Sequence, residues 1–160
     1  MSSVNKVIIS LPGGFASIIP VGDPPFLLIA AENDSSPPLD YTWETNASLE
    51  GTQEEKDIYF RNAKSGQYMA LTVPRRPVPQ DMYKGTTVLS PPHATFRLVP
   101  AGVTGQYYIR TDALSLPAVT ETSLLAHSED GGQTTRGDFK KRSTLLPGEE
   151  SVWQIKIISA

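Results

Sequence analysis

The hydrophobic pattern of the chain consists of short runs, rich in β-branched and aromatic residues, that alternate with turn-forming residues. No segment keeps apolar residues at helical spacing over several turns with capping residues at its ends. Short alternating runs between turn signals are typical of half-buried strands. The pattern therefore predicts about twelve strands: Lys6–Leu11, Phe15–Pro20, Phe26–Ala31, Tyr41–Thr45, Asp57–Asn62, Gln67–Val73, Thr86–Leu89, Thr95–Val99, Gln106–Thr111, Leu116–Thr120, Ser123–His127 and Val152–Ile158.

The predicted strands fall into a repeat, which three aromatic residues mark most clearly. Trp43, Phe96 and Trp153 occupy the same place in three alternating tetrapeptides, and they lie 53 and 57 residues apart. A second feature repeats in phase with them, at spacings of 51 and 49 residues. Each copy of this second feature begins a predicted hairpin: Ile8-Ile9-Ser10, Tyr59-Phe60-Arg61 and Tyr108-Ile109-Arg110.

The two features together define a unit of about four strands in about 50 residues, present three times. A propeller blade has a similar size, but propellers have at least about four blades. Three such units close into a barrel capped by three hairpins, with one aromatic residue of each unit in a shared core. We therefore predict an all-β fold, a β-trefoil of twelve strands with pseudo-threefold symmetry, as a single domain over residues 1–160. A β-sandwich with coincidental spacing is the alternative.

The three hairpin openings and the aromatics Trp43, Phe96 and Trp153 resemble those of the β-trefoil superfamily over nearly the whole chain. In particular, the chain is similar to the small cysteine-free mushroom β-trefoils. These include the mycocypins, which inhibit cysteine proteases, the trypsin inhibitors related to cospin, and the fungal ricin-B-like lectins. The resemblance implies binding through loops, and because fold does not fix function it leaves both protease inhibition and sugar binding open.

Sugar binding in the ricin-B-like lectins goes with a Gln-x-Trp motif in each unit. The matching tripeptides here are Tyr41-Thr42-Trp43, Ala94-Thr95-Phe96 and Ser151-Val152-Trp153, and none of them has the glutamine. An upstream aspartate with an aromatic platform is not evident in any unit either. The pattern therefore disfavours a motif-based sugar site, although some fungal trefoil lectins bind sugar at other surfaces.

The segment 72–80 contains three prolines and two adjacent arginines. Because proline fixes φ and removes a backbone donor, we predict a stiff, extended and exposed loop here. A trypsin-like protease holds Arg or Lys in a pocket that contains a carboxylate. We therefore predict an inhibitor of trypsin-like serine proteases that binds through Pro74, Arg75, Arg76 and Pro77, with Arg75 in the pocket. The alternative is a proline-stiffened connection with solvated arginines.

A glycine turn in the first predicted hairpin, formed by Pro12, Gly13 and Gly14, is the alternative protease-binding segment. The resemblance to mycocypins implies this role, because those inhibitors occlude papain-like clefts with loops of their first unit, including one that contains glycine. Two glycines have no side chains to block a close backbone approach. A carbohydrate-binding lectin is the other alternative function, and a storage or defence protein without a defined small partner is a third.

Charge and composition restrict the partners. The net charge of −3 disfavours general binding to nucleic acid or to membrane surfaces, which requires a basic excess. With no cysteine, no disulfide or cysteine-ligated zinc is possible. No window approaches a membrane span, and the first residues lack the apolar run of a secretory signal, so we predict a cytoplasmic protein. The expected partner is a protease, or glycans under the alternative, and the oligomeric state is left open.

Catalytic signatures are sparse in this sequence. His93 and His127 are the only histidines, and no metal-binding motif, nucleophile elbow or phosphate-binding glycine loop is present. Arg136-Gly137-Asp138 matches an adhesion tripeptide, but matches of three residues often arise by chance. We therefore predict that the protein is not an enzyme and uses no metal and no cofactor.

Overall fold

The computed structural model describes residues 4–13, 16–31, 38–49, 53–72, 82–89, 95–111, 121–129 and 134–159. A short helix α1 (Pro38–Tyr41) precedes the fourth strand, and a 3-10 turn follows the twelfth at Arg142–Thr144. The strands are β1 (Asn5–Ser10), β2 (Ala16–Val21), β3 (Phe26–Ala31), β4 (Thr42–Thr45), β5 (Glu55–Ile58), β6 (Phe60–Asn62), β7 (Tyr68–Thr72), β8 (Met82–Val88), β9 (Phe96–Pro100), β10 (Gln106–Thr111), β11 (Thr122–Glu129), β12 (Thr134–Lys141) and β13 (Trp153–Ser159).

A ring of antiparallel pairs forms the barrel. Strand β1 pairs with β4 on one side and with β13 on the other. The ring continues from β13 through β10 to β9, and β9 pairs with β5. Strands β5 and β6 are consecutive segments separated by Tyr59, and β6 returns the ring to β4. Each third of the chain thus gives two strand positions to the barrel, and closure removes the unpaired sheet edges.

Three hairpins, β2–β3, β7–β8 and β11–β12, form the cap. Strand β12 is its hub, because it also pairs with β3 and with β8. Where β8 passes β12, a β-carbon on Gly85 would lie 2.2 Å from the carbonyl oxygen of Gly137. Only glycine allows backbones to approach so closely. The backbone N–H of Gly85 also donates to Asp138 Oδ1 at 2.9 Å, so the second and third hairpins are fastened at this point.

The core repeats around the same pseudo-threefold axis. Trp43, Phe96 and Trp153 are each 0% exposed. The indole N–H of Trp43 donates to the carbonyl of Ile18 in β2 at 3.1 Å, and that of Trp153 donates to the carbonyl of Leu124 in β11 at 2.9 Å. Burying a large apolar side chain stabilises a fold most when its polar atom is also paired, as both indoles are here. The predicted β-trefoil and the burial of its three aromatics are confirmed.

The core aromatic of the second unit differs from the other two in its chemistry. Phe96 has no N–H to donate, and it packs instead between two other phenylalanines, with ring centroids 5.8 Å from Phe60 and 5.8 Å from Phe139. Aromatic pairs at this separation contribute roughly 0.5–1.5 kcal/mol beyond the burial of their area. The core aromatic of the second unit is therefore held by ring contacts, whereas those of the first and third units are held by indole hydrogen bonds.

The predicted strands of the third unit were partly wrong. The strand that pairs with β10 is β11, through Arg110↔Ser123 and Thr111↔Thr122, so Ser123–His127 belongs to the second strand of that unit and not to the third. The third strand is β12, in a stretch where no strand was predicted. Its sequence TTRGDFKK has one large apolar residue, Phe139, which hides its central place in the cap. The predicted strand Leu116–Thr120 lies outside the described residues.

The predicted strand Asp57–Asn62 is interrupted at Tyr59, which separates β5 from β6. Asp57 has a φ of 56°, in the left-handed region that a regular strand does not use. The side chain of Asn46 bridges the break, because its Oδ1 accepts the N–H of Tyr59 at 3.0 Å and its Nδ2 donates to the carbonyl of Asp57 at 3.1 Å. The side chain of Asn46 therefore connects the two segments across Tyr59, which is not part of either strand.

Candidate functional site

The arginine loop, Pro74, Arg75, Arg76 and Pro77, lies outside the described residues. Its two anchors are described: β7 ends at Thr72 and β8 begins at Met82. The two strands pair antiparallel from Tyr68↔Val88 to Thr72↔Lys84, so the segment 73–81 connects the paired strands of one hairpin. The role of Arg75 in a protease pocket stays a prediction.

The alternative glycine turn connects β1 to β2. Pro12 and Gly13 are exposed, and Gly14 lies outside the described residues. Gly13 has a φ of 103°, a conformation that glycine adopts without strain, and the N–H of Leu11 donates to the carbonyl of Ala16 at 2.9 Å to close the turn. The predicted turn is therefore present, and its contact with a papain-like enzyme stays a prediction.

A group of aromatic and charged side chains at the junction of the first and second units forms the candidate site. Tyr59 and Tyr68 meet edge to face, with ring centroids 5.7 Å apart and an interplanar angle of 72°, and both are half-buried. Arg61 lies directly across the strands from Tyr68, and Glu44 lies directly across from Arg61. Arg61 Nη1 donates to Glu44 Oε1 at 2.6 Å. We call these four residues the tyrosine face.

The turn beside this face fixes the position of Arg61. Asn62 Oδ1 accepts the N–H groups of Lys64 at 3.1 Å and Ser65 at 3.0 Å, which is the hydrogen bonding of an Asx turn. Gly66 closes the turn with a φ of 73°, and a β-carbon there would lie 3.0 Å from Arg61 Nη2. The guanidinium therefore lies over the turn, where it remains 41% exposed, beside a Glu44 carboxylate that is 25% exposed.

Pseudo-symmetry shows that the scaffold does not need the tyrosine pair. In each unit, one residue of the second strand pairs with the end of the first strand. This residue is Tyr68 in the second unit, but Ser17 in the first and Ser123 in the third. Both serines are buried, whereas Tyr68 reaches the surface. The hairpin openings align Tyr59 with Ile8 and Tyr108. The edge-to-face pair is therefore specific to one unit, and the scaffold shared by the three units does not depend on it.

The third unit has an arginine at the position of Arg61, and there it forms an internal ion pair. Arg110, which corresponds to Arg61, donates from Nε and Nη2 to the two oxygens of Glu150, each at 2.8 Å. The side chains are 13% and 15% exposed. The guanidinium also lies 5.1 Å from the ring centroid of Tyr108. In the third unit, Arg110 therefore contacts both the carboxylate of Glu150 and the ring of Tyr108, and these groups satisfy one another.

This pairing changes the ionisation of both partners. The hydrogen bond from Arg110 to Glu150 raises the pKa of Arg110, because together with the carboxylate charge it outweighs the effect of burial. Burial opposes ionisation of Glu150, but hydrogen bonds from Arg110 and Ser123 and the charges of Arg110 and Arg142 outweigh it, so the pKa of Glu150 is lowered. Both groups are held in their charged forms, which is typical of a structural ion pair.

Glu121 of the third unit balances the charges of two arginines, Arg97 and Arg142. Arg97 and Arg110 lie directly opposite each other on β9 and β10, a like-charge pair that destabilises a sheet when uncompensated. Glu121 contacts Arg97, and it also accepts from Arg142 at 2.8 Å, while Arg142 approaches Glu150 at 3.7 Å. The acidic residues therefore alternate with the arginines and stabilise the barrel wall.

His127 contacts a carboxylate within the cap. Its Nε2 contacts the carboxylate of Asp138, whose other oxygen accepts the N–H of Gly85. Arg136, directly across from His127, places its guanidinium 4.1 Å from the ring centroid of Phe26. The tripeptide that matches an adhesion motif is thus part of the central strand of the cap, with Gly137 and Asp138 buried. His93 lies outside the described residues.

Within the described ranges, no group of three or more His, Asp or Glu side chains could hold a metal ion. No helix in that part of the chain is long and apolar enough to cross a membrane. Neither finding tests the predicted absence of a cofactor, and that stays a prediction. The cytoplasmic location and the lack of nucleic-acid binding likewise stay predictions.

No family model and no curated protein matches this sequence. Solved structures do match it. The Macrolepiota procera ricin B-like lectin in complex with lactose has a TM-score of 0.57 and 17% identity, covering 98% of each chain. A Caenorhabditis elegans protein with unknown function has a TM-score of 0.59 and 8% identity, covering 98% of this chain and 96% of that one.

The Polyporus squamosus lectin, bound to a sialylated influenza-binding epitope, has a TM-score of 0.58 and 14% identity over 99% of this chain and 50% of the lectin chain. Similarity at such low identity shows a shared fold and does not carry residues across. The chain is a β-trefoil, with the architecture of the ricin B-like lectins.

Proposed function

We propose that the protein binds carbohydrate at the tyrosine face and does not alter it chemically. The observation that carries the proposal is the edge-to-face pair of Tyr59 and Tyr68, half-buried at the surface and flanked by a partly exposed ion pair. One face of a pyranose ring presents C–H groups, which pack against an aromatic ring, while its hydroxyls need donors and acceptors nearby. Small-molecule sites combine these elements, an aromatic wall with a few placed polar groups.

The architecture shared with two lectins supports the proposal at the level of the scaffold, since one is in complex with lactose and the other is bound to a sialylated epitope. The local geometry supports it independently. Strand pairing fixes Tyr68 between Arg61 and Val88, and Asn46 fixes the backbone at Tyr59. A site whose side chains are held before the ligand arrives loses little conformational entropy on binding.

Pseudo-symmetry supplies variants that remove the tyrosines without foreign chemistry. Tyr68→Ser and Tyr59→Ile install the residues that the first unit has at the same positions. We expect each variant to weaken binding to a panel of immobilised glycans at least tenfold, about 1.4 kcal/mol. Loss of the edge-to-face contact should lower the free energy of unfolding by only about 1 kcal/mol.

The matched control is Tyr108→Ile, which removes a tyrosine from the corresponding position of the third unit, where Arg110 covers the ring. It should bind the same glycans as the unaltered protein. The proposal is wrong if the unaltered protein binds no glycan, or if Tyr68→Ser binds glycans as tightly as the unaltered protein.

Protease inhibition is the second candidate, and it is favoured by the position of the arginine segment. The segment 73–81 connects two strands whose pairing extends to Thr72↔Lys84, so both of its ends are fixed by one hairpin. An extended loop with fixed ends and internal prolines pays little entropy on docking. Under this proposal Arg75 enters the carboxylate pocket of a trypsin-like enzyme, and Pro74 and Pro77 keep the loop extended.

Arg75→Ala should then weaken trypsin inhibition at least tenfold, about 1.4 kcal/mol, without changing the free energy of unfolding. Lys84→Ala, at the base of the same hairpin, is the control for loss of a cation and should inhibit normally. Steady-state inhibition of trypsin decides the matter, since an unaltered protein that does not inhibit trypsin excludes this candidate. Papain inhibition that depends on Gly13 would favour the mycocypin-like alternative.

A further inference from the structure

We propose that the tyrosine face selects uncharged glycans over acidic ones, and that Glu44 is the residue that sets this preference. The inference rests on the proposed carbohydrate binding and deepens it, because it specifies the chemical class of ligand. It follows from the charges around the face and from how each of them is paired.

Arg61 of the tyrosine face and Lys64 of the adjoining turn are each matched by a carboxylate. Arg61 Nη1 lies 2.6 Å from Glu44 Oε1, and Lys64 Nζ lies 2.9 Å from Asp40 Oδ1. Recognition of an anionic sugar depends on a cation that can pair with the sugar carboxylate or sulfate. At this face each cation is already neutralised by a carboxylate, so an incoming anion would meet the negative charge of Glu44 or Asp40 beside it.

The segments that form and flank the face contain more acidic than basic residues. Residues 38–49 and 53–72, which form and flank the face, contain five carboxylates and three cations: Asp40, Glu44, Glu54, Glu55, Asp57, Lys56, Arg61 and Lys64. Like charges at short range repel, and the effect grows when aromatic side chains exclude water from the contact. Glu54 is paired with Arg97 at 3.3 Å, so four carboxylates remain against three cations, and this small acidic excess disfavours an acidic sugar.

An intact ion pair suits a neutral sugar. Ionised Glu44 only accepts hydrogen bonds and Arg61 only donates them, whereas each sugar hydroxyl both donates and accepts. With Arg61 41% exposed and Glu44 25% exposed, both groups reach the solvent side of the face. A hydroxylated, uncharged ring can bridge the two without breaking their salt bridge, and it can pack its C–H face on Tyr68.

The decisive variant is Glu44→Gln, which keeps the size of the side chain and leaves Arg61 without its counter-charge. The probes are pairs of oligosaccharides with one core, one member neutral and the other carrying a sialic acid or a sulfate. Affinities are measured by titration for the unaltered protein, Glu44→Gln and Asp23→Asn. The last is a control that changes net charge equally, in the exposed turn between β2 and β3.

We expect the unaltered protein and Asp23→Asn to bind the neutral member at least tenfold more tightly than the acidic member. Glu44→Gln should reduce this ratio to about threefold or less, mainly by improving binding of the acidic member. The inference is overturned if the unaltered protein prefers the acidic member, or if the ratio is the same in Glu44→Gln.

The outcomes separate the two levels of the proposal. Binding that is lost in Tyr68→Ser but shows no preference for neutral sugar leaves the proposed function standing and removes only this inference. Binding to no member of any pair removes both.

Discussion

The second and third units place an arginine at the same point of the same scaffold and use it in opposite ways. Arg61 makes one hydrogen bond to Glu44 and stays 41% exposed beside two tyrosines, whereas Arg110 makes two to Glu150 and is 13% exposed. The position itself therefore does not determine the role. What differs is the carboxylate: Glu44 comes from the neighbouring barrel strand and Glu150 from the segment before β13, which covers its arginine.

The difference in burial between the two ion pairs indicates which unit can carry a binding surface. A bidentate, largely buried ion pair fixes the barrel wall of the third unit, and nothing is left over for a ligand. A single exposed hydrogen bond contributes little to folding, so the second unit can vary its surface at small cost. Under the proposed function, stability and recognition are thus placed in different repeats of one architecture.

Removing the carboxylate of the third unit should have the largest effect. Glu150→Gln keeps the volume but leaves the buried guanidinium of Arg110 without its charged partner. Because hydrogen bonds to charged groups contribute roughly 1.5–3 kcal/mol when their partner is left buried, we expect the free energy of unfolding to fall by about 2–3 kcal/mol. Urea denaturation measures it, and a loss below about 1 kcal/mol would show that Arg110 finds another acceptor.

Acid should remove the same contribution by protonation. The pKa of Glu150 is lowered in the folded protein, so at a given pH the unfolded chain binds more protons at this site. The contribution of Glu150 is then present above its unfolded pKa of about 4.3 and is lost as pH falls through the folded pKa. The difference in stability between the unaltered protein and Glu150→Gln should shrink from pH 6 to about pH 3. A difference that stays constant over this range would contradict the assignment.

The exposed pair of the second unit should give the smallest effect. Glu44→Gln should cost less than about 1 kcal/mol, because exposed ion pairs contribute little. In a double-mutant cycle with Arg61→Gln, the coupling energy should fall towards zero in about 1 M salt, where charges are screened within about 3 Å. The corresponding cycle for Arg110 and Glu150 should keep most of its coupling energy. Equal salt sensitivity of the two cycles would erase the distinction between the units.

The sequence predicted the fold because the residues that determine it are apolar and repeat in phase. Trp43, Phe96 and Trp153 are fully buried although the surfaces of their units differ, so their regular spacing is visible in the sequence. Strand β12 escaped prediction because its burial depends on polar contacts. Asp138 is held by Gly85 and His127, residues 53 and 11 positions away, and no local alternation announces such contacts.

The tyrosine face was missed for a related reason. Tyr59 is part of a predicted hairpin opening and Tyr68 lies in the predicted strand Gln67–Val73, but their contact depends on the interruption between β5 and β6. Aligning the three units by strand pairing would have placed Tyr68 against Ser17 and Ser123 and marked it as exceptional. The arginine loop shows the opposite case, since its composition is conspicuous in the sequence while its geometry lies outside the described residues.

The close passage of Gly85 beside Gly137 has a consequence for how this protein can evolve. A methyl group at Gly85 would have to occupy the place of a backbone oxygen, which has no rotamer by which to move aside. Most of the surface can exchange residues one at a time, but this crossing admits no intermediate between glycine and a shifted hairpin. Homologues that keep this crossing are therefore expected to vary in their loops but to retain glycine at position 85, because any other residue would place a β-carbon there.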